Sequence, residues 1–196
     1  MRYLVWMLIS FTMLIGLSSC DLLQQTAELQ RLSQCNFEVS GVSDIRLAGL
    51  DLGSGMKRND LNAAQILQLT NAVFNKNLPL RFNVLVKVDN PNNGTAALSR
   101  MDYTVFLDGI ELLSSSFDQR HEIGPGSSSI VPVPIGVELF QIMSGQSAEA
   151  VSNLAFKLTG GDSKPAELEM RIEPFINIAN KQVPYPNTLN IKYLIK

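Results

Sequence analysis

The feature that most constrains the fold of this sequence is a run in which every second residue is apolar. The apolar positions are Leu80, Phe82, Val84, Val86 and Val88. Successive side chains of a strand point to opposite faces of a sheet, so this run predicts a strand with one fully apolar face. Asn90-Pro91-Asn92-Asn93-Gly94 follows it. Proline removes a hydrogen-bond donor and Asn and Gly tolerate positive φ, so the strand should end in a turn there.

A second alternating run predicts a β-hairpin. Apolar residues recur from Met101 to Leu107, and Asp108-Gly109 separates them from Ile110-Glu111-Leu112. Asp-Gly is favoured in a two-residue hairpin turn because both central residues need positive φ. Gly124-Pro125-Gly126 predicts another tight turn. Residues 130–135 predict an edge or irregular strand, because proline lacks the N–H that a central strand donates to its neighbour. Alternating apolar residues predict two more strands over 168–172 and 189–195.

Two segments favour helices. Asp60 is the predicted N-cap of a helix from Leu61 to Asn75, and we expect its apolar residues to pack against the sheet. A second helical region extends from Glu138 to Leu158 and is divided at Gly145. Many short strands, tight turns and few helices together predict a mostly β fold, an antiparallel β-sandwich with one or two peripheral helices.

Residues 78–135 resemble the late embryogenesis abundant type 2 domain, also called the water stress and hypersensitive response domain. The most specific element is Asn90-Pro91-Asn92 after a long apolar strand, followed by Leu107-Asp108-Gly109 and Gly124-Pro125-Gly126. The resemblance implies a sandwich similar to fibronectin type III and immunoglobulin domains. It also implies a binding or protective role in water stress, and it offers no catalytic residues.

The N-terminal sequence resembles a bacterial lipoprotein signal peptide. Arg2 precedes an apolar run from Tyr3 to Leu17, and Leu17-Ser18-Ser19-Cys20 follows the pattern of a lipobox. The resemblance implies cleavage before Cys20 and lipidation of its thiol, with fatty acids such as palmitate. An uncleaved transmembrane anchor is the alternative, because the run approaches the roughly 20 apolar residues that span a bilayer.

The expected organisation follows from these boundaries. Residues 1–19 form the signal peptide, 20–35 the lipidated N-terminus and a tether or short helix, and 36–196 a single domain. Removing 19 of 196 residues leaves 177, which suits one domain. Acyl chains on Cys20 would hold the protein at a membrane of the bacterial cell envelope. We expect the outer membrane, with the inner membrane as the alternative because Asp21 follows the cysteine.

Composition and motifs argue against several function classes. The formal net charge of −2 becomes −3 when Arg2 is removed, and without a basic cluster we predict no nucleic-acid partner. His121 is the sole histidine, so neither a multi-histidine metal site nor a catalytic triad is expected. Glu167, Glu169 and Glu173 alternate with apolar residues, as on the solvated face of a strand. Cys35 is expected to be a buried small hydrophobe. These patterns predict a non-enzyme without a cofactor.

Two functions remain open at this level. The first is a membrane-anchored, non-enzymatic lipoprotein that acts as a binding or envelope stress-protection module, with a possible protein partner. The second is a carrier of lipid or another apolar ligand, in which the helix from Leu61 to Asn75 covers a groove on the sandwich.

Overall fold

The computed structural model describes residues 27–28, 30–145, 147–161, 164–178, 181–184 and 187–196. Cys20 and the predicted signal peptide lie outside these residues. The strands are β1 Asn36–Leu47, β2 Leu50–Asp51, β3 Pro79–Asp89, β4 Ala96–Leu98, β5 Arg100–Leu107, β6 Ile110–Phe117, β7 His121–Ile123, β8 Ser128–Glu138, β9 Ala166–Ile178, β10 Lys181–Pro184 and β11 Leu189–Ile195. The helices are α1 Ala63–Phe74, α2 Leu139–Ile142 and α3 Ala148–Lys157, with a 3₁₀ turn at Arg58–Asp60. In the described part of the chain, no helix is long and apolar enough to cross a bilayer.

The strands form two main antiparallel sheets. The first has the order β2-β1-β3-β8, and the second has the order β10-β9-β5-β6 with β11 also paired to β9. β4 and β7 make a separate two-stranded sheet. The apolar faces of the two main sheets contribute to one continuous hydrophobic core. The predicted antiparallel β-sandwich is therefore confirmed.

The predicted face of β3 is confirmed in full. Leu80, Phe82, Val84, Val86 and Val88 are each at most 2% exposed. β3 lies between β1 and β8, so its backbone can form hydrogen bonds to a neighbouring strand on both sides. β8 pairs only with β3 among the described strands, which agrees with the edge position that its prolines predict.

The predicted hairpin is also confirmed. Leu107 pairs with Ile110 across the turn, and Asp108 and Gly109 have φ values of 50° and 77°. Both values are positive, as a type I′ turn requires.

The second helical region is divided near Gly145, as predicted. Glu138 caps α2, and Ser147 caps α3 by accepting a hydrogen bond from the Ala150 amide. Val151 and Leu154 of α3 are buried in the core.

The first helix differs from the prediction in its start. Its N-cap is Asn62, whose side chain accepts from the Gln65 amide at 3.0 Å while Gln65 accepts from the Asn62 amide at 2.9 Å. This reciprocal pair is a capping box. Asp60 instead accepts from the Lys57 amide in the preceding 3₁₀ turn, so the predicted Asp60 cap is wrong.

The packing of α1 is also different from the expectation. None of its residues is buried, and only Leu69, Ala72 and Val73 are partly buried against the core. Leu67 and Phe74, which we expected to face the sheet, point into solvent. The helix therefore lies on the surface with apolar side chains on both of its faces.

Candidate functional site

The outer face of α1 carries three of the five large apolar side chains that are exposed in the described part of the chain. Ile66 is 51%, Leu67 61% and Phe74 86% exposed. Residues four apart on a helix share a face, so Ile66, Thr70 and Phe74 line up along one side with Leu67 beside them. We call Ile66, Leu67 and Phe74 the apolar stripe.

A groove of about 950 Å³ runs beside the apolar stripe, between α1 and α3. Its apolar lining comes from Leu61, Ile66, Leu69, Val73 and Phe156. Its polar lining comes from Arg58, Asn59, Thr70, Ser152 and Asn153. Cavities of this size accommodate drug-sized ligands or protruding side chains of a partner.

Polar contacts fix both walls of the groove. On the α1 side, the Gln68 amide donates to the Ala48 carbonyl at 2.8 Å. On the α3 side, the Lys157 ammonium pairs with the Asp108 carboxylate in the hairpin turn. Beyond α3, the Thr159 hydroxyl donates to the Met56 carbonyl at 2.6 Å, which ties the segment before α1 to the end of α3. These contacts attach α1 and α3 to the rest of the sandwich on either side of the groove.

The opposite end of the sandwich is organised around Asn90, which is 2% exposed. Its side-chain amide donates to the carbonyls of Gly94, Ile123 and Gly124 at 2.9–3.0 Å, and its side-chain oxygen accepts from the Asn92 amide at 3.0 Å. The sequence predicts the turns at residues 90–94 and 124–126 separately. It does not predict that the buried Asn90 side chain joins them.

The N-terminal segment is attached at this Asn90 end. The Asn92 side chain donates to the Arg31 carbonyl at 2.9 Å, and Arg31 donates to the Thr95 carbonyl at 3.2 Å. Leu32 is buried, and Glu28 pairs with Arg120 at 3.1 Å. Residues 27, 28 and 30–32 are helical. Part of the segment expected to be a tether or short helix thus contacts the sandwich.

Cys35 is only half buried and is bonded within this attachment, its thiol donating to the Arg31 carbonyl at 3.4 Å. Burial, with a smaller contribution from the Asp89 charge, raises the pKa of the Cys35 thiol to about 11. A thiol with this pKa is a poor nucleophile at neutral pH. Its expected role as a small packing residue is supported in part.

The remaining titratable candidates are separated and have structural partners. His121 lies on β7 and is hydrogen-bonded to the Ser129 hydroxyl at 2.8 Å. Arg171 bonds Glu169 at 2.7 Å, which lowers the pKa of that carboxyl. Lys192 pairs with Glu167 at 2.8 Å. The glutamates thus lie on a solvated strand face, as predicted. Within the described residues, no group of three His, Cys, Asp or Glu side chains is placed to hold a metal.

A shallower polar cavity of about 560 Å³ lies on the outer face of the second sheet. Arg100 in its wall already bonds Asp102 at 2.8 Å, and Arg171 is bonded to Glu169. Arg171 also stacks 4.3 Å above the Phe106 ring. Its cations are thus engaged within the sheet, and the groove beside α1 remains the stronger candidate.

A family model described as late embryogenesis abundant protein matches residues 85–187. This span covers 103 of the 196 residues, more than half of the chain. The chain belongs to the late embryogenesis abundant (LEA) type 2 family. The LEA match runs from within β3 to beyond β10, so it contains the Asn90 turn, the hairpin and α3. Membership indicates a stress-related domain of a family that is generally non-enzymatic. α1 precedes the matched residues, so the apolar stripe lies outside the LEA match.

Three solved structures align with this chain at low TM-scores. A crystal structure of a protein from Archaeoglobus fulgidus aligns with a TM-score of 0.36 at 14% identity, covering 60% of this chain and 86% of that one. A solution structure of an Arabidopsis thaliana protein has a TM-score of 0.38 at 14% identity, covering 59% and 70%. A solution structure assigned to the LEA class has a TM-score of 0.40 at 11% identity, covering 92% and 84%. No curated protein is significantly similar in sequence.

Proposed function

We propose that this protein is a membrane-anchored, non-enzymatic lipoprotein of the bacterial envelope, and that it acts as a binding or stress-protection module. The observation that supports the binding role is the apolar stripe beside an open groove. The lipobox around Cys20 supports the anchoring, with the outer membrane as the expected location.

The energetics of the apolar stripe favour a binding role. Fully burying one large apolar side chain contributes about 1.5–3 kcal/mol, and for Ile66, Leu67 and Phe74 this gain is only partly realised in the isolated chain. Contiguous exposed apolar patches are typical of interaction sites. α1 also contains no charged residue from Ala63 to Phe74. Depletion of charge is characteristic of the centre of protein interfaces.

The attachment point leaves the apolar stripe free. The N-terminal segment is fixed at the Asn90 end of β3, whereas the Ala48 carbonyl that holds α1 lies beside Pro79 at the other end. The ten steps of β3 between these ends span about 33 Å. Residues 20–27 can extend at most about 25 Å. An anchor on Cys20 would therefore hold the protein by the end remote from α1.

The carrier alternative is less well supported by the same surface. A lipid chain lying in the groove would contact Leu69, Val73 and Phe156, but Leu67 and Phe74 project outside it. A larger surface that covers both the groove and the outer face of α1 would bury all of these side chains. The binding module is therefore the function that we favour.

Metabolic labelling with a fatty acid tests the anchoring. We expect the full chain to incorporate the label and the Cys20→Ser variant to incorporate none, because acylation requires the thiol. The matched control is Cys35→Ser, which removes the other cysteine and should keep the label. Label retained by Cys20→Ser would contradict the lipoprotein proposal.

A further inference from the structure

We propose that the free edge of β6 is a docking site for an extended, uncharged polar peptide segment of a partner protein, which adds to the second sheet as a further strand. The site is separate from the apolar stripe. The polar cavity beside β6 shares no lining residue with the groove beside α1. The inference therefore adds a second binding surface and does not depend on the first.

β6 is a long edge strand that lacks the usual protection against pairing. Edge strands are typically very short or carry proline or lysine, because their free backbone groups can pair with another chain. β2 has two residues and β10 four, β8 contains Pro132 and Pro134, and β11 lies beside β1 of the other sheet. β6 has eight residues without proline or lysine, and among the described strands it pairs only with β5.

The register shows which backbone groups of β6 face the free edge. Pro174 of β9 pairs with Met101 of β5 and has no N–H, so the backbone groups of Met101 face β6. This direction alternates along a strand, and the β5–β6 register is regular from Ser114 to Phe117. Phe117, the partner of Met101, therefore faces β5, whereas Ser116 and Ser114 face outward. Their N–H and C=O groups lie about 6.8 Å apart along the edge.

The edge at these two serines is accessible to another chain. Ser114 and Ser116 are both exposed, and outside the β5–β6 ladder their backbone groups bond to no other described residue. A row of free N–H and C=O groups is complementary to the backbone of another extended chain, and β-augmentation binds peptides in this way. The open edge therefore favours an extended polypeptide over a compact small molecule.

The cavity beside the edge indicates which side chains the peptide carries. It measures about 560 Å³ and extends from Ser114 and Ser116 over Thr104 of β5 to the outer face of β9. Its lining contains two arginines and two acidic residues, so its formal charge is zero. Both arginines already pair with carboxylates of the same sheet. A charged side chain would find no unpaired counter-charge there, whereas an uncharged amide can bond to the hydroxyl groups.

A second copy of β6 fits this site less well than a peptide with longer side chains. Antiparallel pairing of two β6 strands would place serines beside Ser114 and Ser116. A serine side chain is too short to extend over these residues towards Thr104, so the cavity would stay empty. Alternate side chains of an added strand point to the same face, so glutamine at every second position extends over the cavity.

Amide NMR spectra of the full chain in detergent micelles test the inference. The probe is a short synthetic peptide in which glutamine and threonine alternate. We expect the resonances of Ser114 and Ser116 to shift on addition of this peptide. At a peptide concentration about ten times Kd, hydrogen exchange of these two amides should slow about tenfold, because exchange then requires the unbound edge.

A pair of variants separates the backbone of Ser114 from its side chain. Ser114→Pro removes the outward N–H but leaves the β5 ladder intact, and it should weaken peptide binding about tenfold or more. The matched control Ser114→Ala loses the same 2.8 Å hydroxyl contact with Thr104 but keeps the N–H. It should bind the peptide with a Kd within about twofold of the original chain. Circular dichroism melts establish that both variants are folded.

A modified peptide provides a test that does not depend on any variant. The same peptide N-methylated at every residue keeps its side chains but has no backbone donor, so it should bind about tenfold more weakly or not at all. Equal affinity of the two peptides, or of Ser114→Pro and Ser114→Ala, would overturn the inference.

The positions of the shifted amides separate this inference from the proposed function. Shifts at Leu69 and Val73 without shifts at Ser114 and Ser116 would place the peptide beside α1. That result would overturn the β6 site and support the binding role of the groove. If the peptide shifts no amide, the β6 site is wrong, and the proposed function, which rests on the apolar stripe and the lipobox, is unaffected.

Discussion

Replacing Asn90 tests whether a single buried amide joins the two turns at one end of the sandwich. The side chain makes three donor contacts of 2.9–3.0 Å with two hydrogens, so one of these contacts is shared, and its oxygen accepts from Asn92. Asn90→Ala removes all of these bonds, including the buried one to the Ile123 carbonyl.

The magnitude follows from the number of bonds. An unsatisfied buried polar group costs about 1–3 kcal/mol, and a net hydrogen bond contributes about 0.5–1.5 kcal/mol. We therefore expect Asn90→Ala to lower the free energy of unfolding by about 3–4 kcal/mol. In a domain of this size, each kcal/mol shifts Tm by roughly 2–4 °C, so Tm should fall by roughly 6–16 °C. Thermal melts followed by circular dichroism measure this shift.

Two further variants make the result specific. Asn93→Ala lies in the same turn but is exposed, and it should change stability by no more than about 0.5 kcal/mol. Asn90→Asp keeps the size but directs a carboxylate at carbonyl oxygens, which raises the pKa of that carboxyl in the folded state. Its destabilisation should be full at neutral pH and should shrink as pH falls towards about 4, because the protonated form can donate. Equal melting temperatures for Asn90→Ala and Asn93→Ala would refute the role of Asn90.

Two other predictions concern register and reactivity. Val86 is 1% exposed, so Val86→Asp buries an unpaired charge and should lower the free energy of unfolding by several kcal/mol. Lys87→Gln removes only half-exposed ion pairs and should lower it by at most about 1 kcal/mol. Urea unfolding measures both variants, and similar midpoints would contradict the register of β3. The Cys35 thiol, with its pKa raised to about 11, should react slowly with iodoacetamide at pH 7 and faster as pH rises towards that value. A rate that already levels off near pH 9 would show that the thiol is not buried as described.

The strands were predictable because each has one buried face and therefore a period of two. β3 and the hairpin show this most clearly, since a slip of one residue would expose Val84 or Val105 to solvent. β1 shows the limit of the pattern. It is one strand of 12 residues with irregularities between Val39 and Gly41 and between Ser43 and Arg46, and these interruptions break the period of two that would otherwise indicate a single strand.

The role of Asn90 was not predictable from its own neighbourhood. Its donor contacts reach Ile123 and Gly124, more than 30 residues away. The sequence predicts both turns separately from their Pro and Gly residues. It does not indicate that the two turns meet, because that depends on how β3 and β8 align. The capping box of Asn62 and Gln65, in contrast, is a local signal for the start of α1 that the choice of Asp60 as N-cap missed.

The exposed helix is the point at which local pattern and tertiary structure disagree. An amphipathic surface helix normally has one apolar face and one charged face, and the charged face shows which side is solvated. α1 lacks charged residues, and its apolar side chains lie on both faces, with Leu69 and Ala72 inward and Leu67 and Phe74 outward. Periodicity can therefore predict the helix but not its orientation. Local sequence pattern and tertiary structure are expected to disagree at functional surfaces, because the residues needed for function there need not fit the local pattern. The residues that misled the sequence prediction, Leu67 and Phe74, are among those that form the apolar stripe of the proposed binding surface.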